Sequence, residues 1–122
     1  MSNSRSLFVD LVKSMPSGTE WQLDVSEMHT DFYNAIRGIV YEKNGISMTF
    51  ILNDGYRKQL IDLTYAELHE VVQRVTIAWQ GSKVFEAFDG FEIAIISKYF
   101  KISETPLSMH LDKDILFISD DW

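Results

Sequence analysis

The chain has 122 residues, 46% hydrophobic and 13% aromatic, enough apolar side chain for a single packed domain over 1–122 and too much for a disordered polymer. It has no cysteine, which excludes a disulfide framework, a thiolate zinc site and a cysteine nucleophile. Eighteen acids against eleven bases give a formal charge of −7, a balance opposed to nucleic-acid binding, which draws on counterion release by Lys and Arg.

In chain order, the opening MSNSRSLFVDLVKSM is interrupted by Asp10 and Lys13 and has no small-residue cleavage site, so it does not read as a secretion signal. No apolar run approaches the ~20 residues of a membrane helix, and the expectation is a soluble, cytoplasmic protein. Leu7, Phe8, Leu11, Val12 and Met15 recur at helical spacing, predicting a helix from Ser4 to about Ser14 that Pro16 and Gly18 end. EWQLDV then alternates strictly, with Trp21, Leu23 and Val25 on one face, as a half-buried strand does.

In AIRGIVYEKNGISMTFIL, Asn44-Gly45 suits a type I′ hairpin turn. That turn predicts pairing of Lys43 with Ile46, Tyr41 with Met48, Ile39 with Phe50 and Arg37 with Leu52. NDGY makes the next turn and RKQLID a third antiparallel strand. Thr64 and Glu67 form a capping box for a second helix, with Tyr65, Leu68, Val72, Val75 and Trp79 as its buried stripe. Gly81 stops it, and Glu70 and Arg74 stand one turn apart on its outer face.

KVFEAFDGFEIAIISKYF predicts a second hairpin about Asp89-Gly90, ETPL a loop fixed by Pro106, and DILFIS a short closing strand. The fold class is α+β: a mostly antiparallel sheet of about six or seven strands with two amphipathic helices packed on it.

Chemistry is sparse. His29, His69 and His110 lie in different elements without metal-ligand spacing, and read as exposed or locally bonded. No nucleophile elbow occurs, and the glycines are scattered singly rather than gathered in a phosphate-binding loop. The sequence therefore predicts no catalytic residue, no metal, no cofactor and no enzyme. Eleven dispersed bases make no nucleic-acid surface.

The acids are uneven. Residues 104–122 hold five acids and one base, a net −4, and residues 1–103 the remaining −3. Glu86, Asp89 and Glu92 cluster at a hairpin tip. Across it Glu86 would face Ile93 and Ala87 would face Glu92, so the acids share no strand face as a catalytic dyad would. They form either a solvated tip or an acidic patch for a basic partner. Asp112 and Asp114 precede the closing strand, and Asp120, Asp121 and Trp122 follow it. A tryptophan among acids suits a binding anchor, since it desolvates a large area at small entropic cost. It equally suits a clasp over the sheet edge.

The stretch WQGSKVFEAFDGFEIAIISKYFKIS, Trp79 to Ser103, resembles the small acidic immunity proteins of bacterial toxin systems, contact-dependent growth inhibition among them: a hairpin with acids at its tip, then a Ser-Lys-aromatic strand and a polar loop. The resemblance covers about a fifth of the chain and carries over no individual residue. It implies a non-enzymatic inhibitor that binds a toxin domain, such as a basic nuclease, one-to-one at or beside its active site. Two alternatives share the sequence features: an acidic inhibitor of another nucleic-acid enzyme from phage or host, and a small ligand-binding domain or enzyme.

Overall fold

A computed structural model describes residues 3–26, 30–63, 68–111 and 116–122. In chain order the elements are α1 (Asn3–Ser14), β1 (Glu20–Val25), α2 (Thr30–Ile36), β2 (Glu42–Asn44), β3 (Ser47–Ile51), α3 (Asp54–Ile61), α4 (Leu68–Val71), β4 (Val72–Trp79), β5 (Ser82–Phe88), β6 (Ile93–Ile96), a 3-10 turn (Ile102–Glu104), α5 (Ser108–Leu111) and β7 (Leu116–Ile118). The strands form one seven-stranded sheet in the order β2-β3-β1-β4-β5-β6-β7. All neighbours are antiparallel except β6 and β7. The fold is α+β, as the sequence leads one to expect.

Alternation along β1 assigns the two faces. Trp21 lies opposite Phe50 of β3 and Ile77 of β4, and Ile77 in turn lies opposite Phe85, which faces Ile96. A second row runs from Met48 through Leu23, Val75 and Ala87 to Ala94. Both rows are buried together with the α1 stripe of Leu7, Phe8, Leu11, Val12 and Met15. Phe32 and Ile36 of α2, Leu60 of α3 and Leu68 and Val71 of α4 join the same core. The rows between them, such as Thr49, Gln22, Thr76 and Glu86, point the other way, and among the described residues the helices give their buried side chains to the α1 side. Among the described residues the sheet is covered on one face only.

Trp21 is fully buried, stacked on Phe50 (5.6 Å between centroids) and edge-on to Phe8 (6.0 Å). Its indole N–H donates to Thr19 Oγ1 at 2.9 Å, which meets the need of a buried polar group for a partner. The Thr19 hydroxyl in turn donates to the Pro16 carbonyl.

Several local expectations are corrected. The first hairpin turns on Gly45-Ile46 rather than Asn44-Gly45. Gly45 has φ 59 and Asn44 is strand, so one left-handed residue suffices and Lys43 moves opposite Met48. Upstream of Glu42 the chain is not strand: α2 occupies 30–36, because Phe32 and Ile36, one turn apart, both reach the core. Tyr41 is exposed and donates its hydroxyl to Glu20.

RKQLID is helix, not a third strand. Asn53 caps α3 by accepting from the Tyr56 amide, and Asp54 with Arg57 and Lys58 with Asp62 form pairs along it. Arg57 also donates to the Val12 carbonyl near the end of α1 and to the Ser17 hydroxyl, tying the two helices. Among the described residues five α-helices, rather than two, accompany the sheet.

The stretch expected to be that helix is mostly β4. Gln73 is an extra residue in its pairing with β1, where Val25 faces Val72 and Asp24 faces Arg74. A bulge of this kind returns Val72 and Val75 to one face at a spacing of three, which imitates a helical stripe. The β-branched residues Val72, Val75, Thr76 and Ile77 suit a central strand better. Gly81 is no helix stop: Gln80 and Gly81, at φ 51 and 84, make the two-residue turn between β4 and β5. The proposed capping residues Thr64 and Glu67, with Tyr65, lie outside the described residues. Among those described, no helix is long and apolar enough to cross a membrane.

Thr19→Val should cost roughly 1–3 kcal/mol in urea unfolding, because it leaves the buried Trp21 N–H without an acceptor in a site of unchanged shape. Unchanged stability would show that the indole finds another partner.

Candidate functional site

At one end of the sheet the chain ends β6 and β7, side by side and parallel, in the same way. Ser97 Oγ accepts from the Tyr99 amide, and Ser119 Oγ accepts from the amides of Asp121 and Trp122. Both serines are buried, and each is followed three residues later by an aromatic, Phe100 and Trp122. A short serine-nucleated turn bends the backbone off the strand and swings that aromatic back toward the sheet. The two turns, SKYF and SDDW, are joined by backbone: the Lys98 amide donates to the Trp122 carbonyl at 2.8 Å, and Lys98 Nζ to the Asp120 carbonyl at 3.1 Å.

Trp79 and the Gln80-Gly81 turn bring the ends of β4 and β5 to the same place. Between these segments runs a groove of about 690 Å³ walled by Trp79, Trp122, Tyr99, Phe100, Val84 and Pro16, with Lys83, Lys101 and Asp121 among its polar residues. The volume falls in the range of small-ligand and side-chain pockets. Tyr99 is 79% exposed, and Trp122 is half-buried with the Lys83 ammonium 5.2 Å from its ring centroid. Among the described residues no ion pair engages the carboxylates of Asp120 and Asp121, which are exposed. The Trp122 backbone is clasped while its indole remains a wall of the groove.

The acids named from the sequence separate into three groups. Asp120, Asp121 and Trp122 stand at the groove. Asp89 and Glu92 are exposed in the β5–β6 turn, at the far end of β6, roughly four strand residues or about 13 Å away. Asp112 and Asp114 lie outside the described residues.

Glu86 is the clearest correction. It stands within β5 opposite Ile95, not at a solvated tip, and is only 7% exposed. Arg74 Nη2 lies 2.7 Å from one carboxylate oxygen and Lys83 Nζ 3.3 Å from the other. Arg74 reaches it across the β4–β5 pair, so the expected Glu70–Arg74 helix pair is replaced by a cross-strand one. Burial alone pushes the Glu86 carboxyl up, but the hydrogen bonds and charges of Arg74 and Lys83 outweigh it and hold the pKa below the ordinary value. The carboxylate is engaged within the fold by both cations.

The sequence count of charge is also modified. Lys83 and Lys101 line the same groove as Asp121, and Lys98 bonds the Asp120 carbonyl, so this end is mixed in sign rather than purely acidic. Among the histidines, His110 is buried and its Nε2 lies 2.7 Å from Asp10 Oδ2, bonded across 100 residues of chain rather than locally. It pins the β6–β7 connection to α1. His69 falls in α4 and His29 outside the described residues. Among the described residues no group of three or more possible metal ligands occurs.

Sequence reasoning missed Pro16, Trp79, Tyr99 and Phe100, since the groove gathers four separate strand ends. The echo of SKYF in SDDW, each directly after an apolar strand, is a signal in the sequence that could have pointed to it. Comparison with known proteins finds no family model, no curated relative and no solved structure that matches this chain.

Glu86→Gln should cost roughly 1 kcal/mol at neutral pH, a small value because Arg74 and Lys83 are about half exposed and resolvate. A depressed folded pKa stabilises above the unfolded value and is lost as pH falls through the folded one. The gap between the native chain and the variant in urea unfolding should therefore close as pH is lowered from the ordinary 4.5 downward. A gap that widens on acidification would reverse the assignment.

Proposed function

We propose that this chain is a non-enzymatic binder of one cognate protein partner, acting in the cytoplasm, and that the partner meets the end of the sheet where Trp122 stands. The single observation that carries this reading is the arrangement of Ser119–Trp122. Its backbone is fixed by hydrogen bonds, its indole is half-buried in an aromatic groove, and two exposed aspartates flank it without ion-pair partners among the described residues. A preorganised aromatic costs little entropy to bury further, and unpaired acids beside it favour a basic partner.

The resemblance of Trp79–Ser103 to immunity proteins supports a more specific version. The partner would be a toxin domain, a basic nuclease being the best fit, neutralised by occlusion of its active site. The aspartates would meet groups that otherwise hold phosphate. An inhibitor of another nucleic-acid enzyme would use the same surface on a different target.

The test is association with a basic nuclease toxin domain, sought in the gene next to this chain's own, measured between about 50 and 500 mM salt. The on-rate should fall on the order of tenfold across that range. Asp120→Asn with Asp121→Asn should slow association, whereas Trp122→Ala should mainly speed dissociation. An on-rate independent of salt, or a Trp122→Ala complex as long-lived as the native one, goes against the reading.

A second reading rests on the size and aromatic walls of the groove, which also suit a small flat ligand. Trp21 is buried in the core, so a ligand that changes the emission of Trp79 and Trp122 alone would favour it.

A further inference from the structure

The two edges of the sheet are built differently. At one edge β2 reads Glu42-Lys43-Asn44, every residue exposed and two of the three charged, the usual protection against strand addition. At the other, β7 reads Leu116-Phe117-Ile118. Phe117 is 47% and Ile118 49% exposed, and among the described residues no strand pairs the outer side of β7. The apolar surface continues onto the uncovered face, where Phe117 lies opposite Ile95, and Ile93, 45% exposed, follows on the same strand. Exposed apolar surface that joins an unpaired edge marks an interaction site or an aggregation hazard.

Charge selects what can add there. Asp120 and Asp121 follow β7 directly, and in the sequence Asp112 and Asp114 come just before it. An incoming strand with lysine or arginine beyond the end that meets Ser119 would find the exposed carboxylates of Asp120 and Asp121 there. A second copy added parallel would instead set those aspartates against their own kind. We propose that the outer edge of β7 is a docking site for an extended segment of the partner, with apolar residues in alternation and a basic flank toward Asp120 and Asp121. The inference rests on the protein-binding reading above and adds the means: backbone pairing supplies affinity, Phe117 and Ile95 receive the alternate side chains, and the aspartates set the partner's sign.

The ladder gives a variant that acts on this edge alone. The Ser119 amide donates inward to the Ile96 carbonyl. Amides alternate along a strand, so the Ile118 N–H points outward, away from β6. Ile118→Pro removes that outward donor while sparing the bonds to β6, and proline is tolerated at such an edge position.

The experiment is an NMR titration of the isotope-labelled full chain with synthetic peptides of about eight residues. One peptide alternates threonine and valine between lysine pairs, and the other carries glutamate pairs instead. The lysine peptide should shift the amides of 116–119 first, and both the glutamate peptide and the Ile118→Pro chain should bind about tenfold more weakly. Equal binding of the two peptides, no loss in Ile118→Pro, no binding of the lysine peptide, or shifts confined to the Trp79 and Trp122 indoles would overturn the proposal. So would concentration-dependent dimer formation through β7 without peptide. A toxin domain that binds native and Ile118→Pro chains equally sinks the edge and leaves the protein-binding reading intact. Peptide docking on β7 without toxin binding does the reverse.

Discussion

Trp21 holds three layers of contact at once. It stacks on Phe50 in one neighbouring strand and faces Ile77 in the other, meets Phe8 of α1 edge-on, and anchors its N–H on Thr19 just before the strand begins. A side chain that buries so much area and satisfies its one donor fixes which face of β1 is inside. With that face chosen, the period of two carries the choice across the sheet from Met48 to Leu116. Everything with an interaction character is then what the core leaves over: the open face, the β7 edge, and the end where β6 and β7 stop.

The leftovers are not uniform. On the open face, Arg74, Lys83 and Glu86 satisfy one another, so the most buried acid among the described residues belongs to the fold. Near the end of β7 the pattern inverts. There the carboxylates of Asp120 and Asp121 have no ion-pair partner among the described residues, and Lys98 engages a backbone carbonyl and a ring face instead. A stability-driven arrangement would pair those charges as it pairs Glu86.

α1, β1 and the α+β class are legible in the sequence because each is specified by a pattern within a dozen residues: the Leu7–Met15 stripe, and the Trp21-Leu23-Val25 alternation. β4 is not, because a bulge at Gln73 gives a strand the spacing of a helix, and only its neighbours β1 and β5 make the strand preferable. α3 is misread for a related reason. NDGY carries turn residues, yet Asn53 uses its side chain to start a helix rather than to reverse the chain. The groove is legible least. Pro16, Trp79, Tyr99 and Trp122 are far apart in the chain, and local patterning carries no information about which strand ends coincide. The exposure of Asp120 and Asp121 is legible because they follow an edge strand. The place of Glu86 is not: expected at a hairpin tip with Asp89 and Glu92, it lies within β5, where Arg74 reaches it from β4.

The central claim is that binding takes place on what the one-sided core leaves bare near β7. Hydrogen exchange of the whole chain, alone and saturated with the proposed basic protein partner, tests it most directly. The account predicts new protection at 116–122 and 97–101, with the α1–α3 side and the β2 edge unchanged. Protection centred on α1, α3 or β2, with 116–122 exchanging as freely as before, would contradict it.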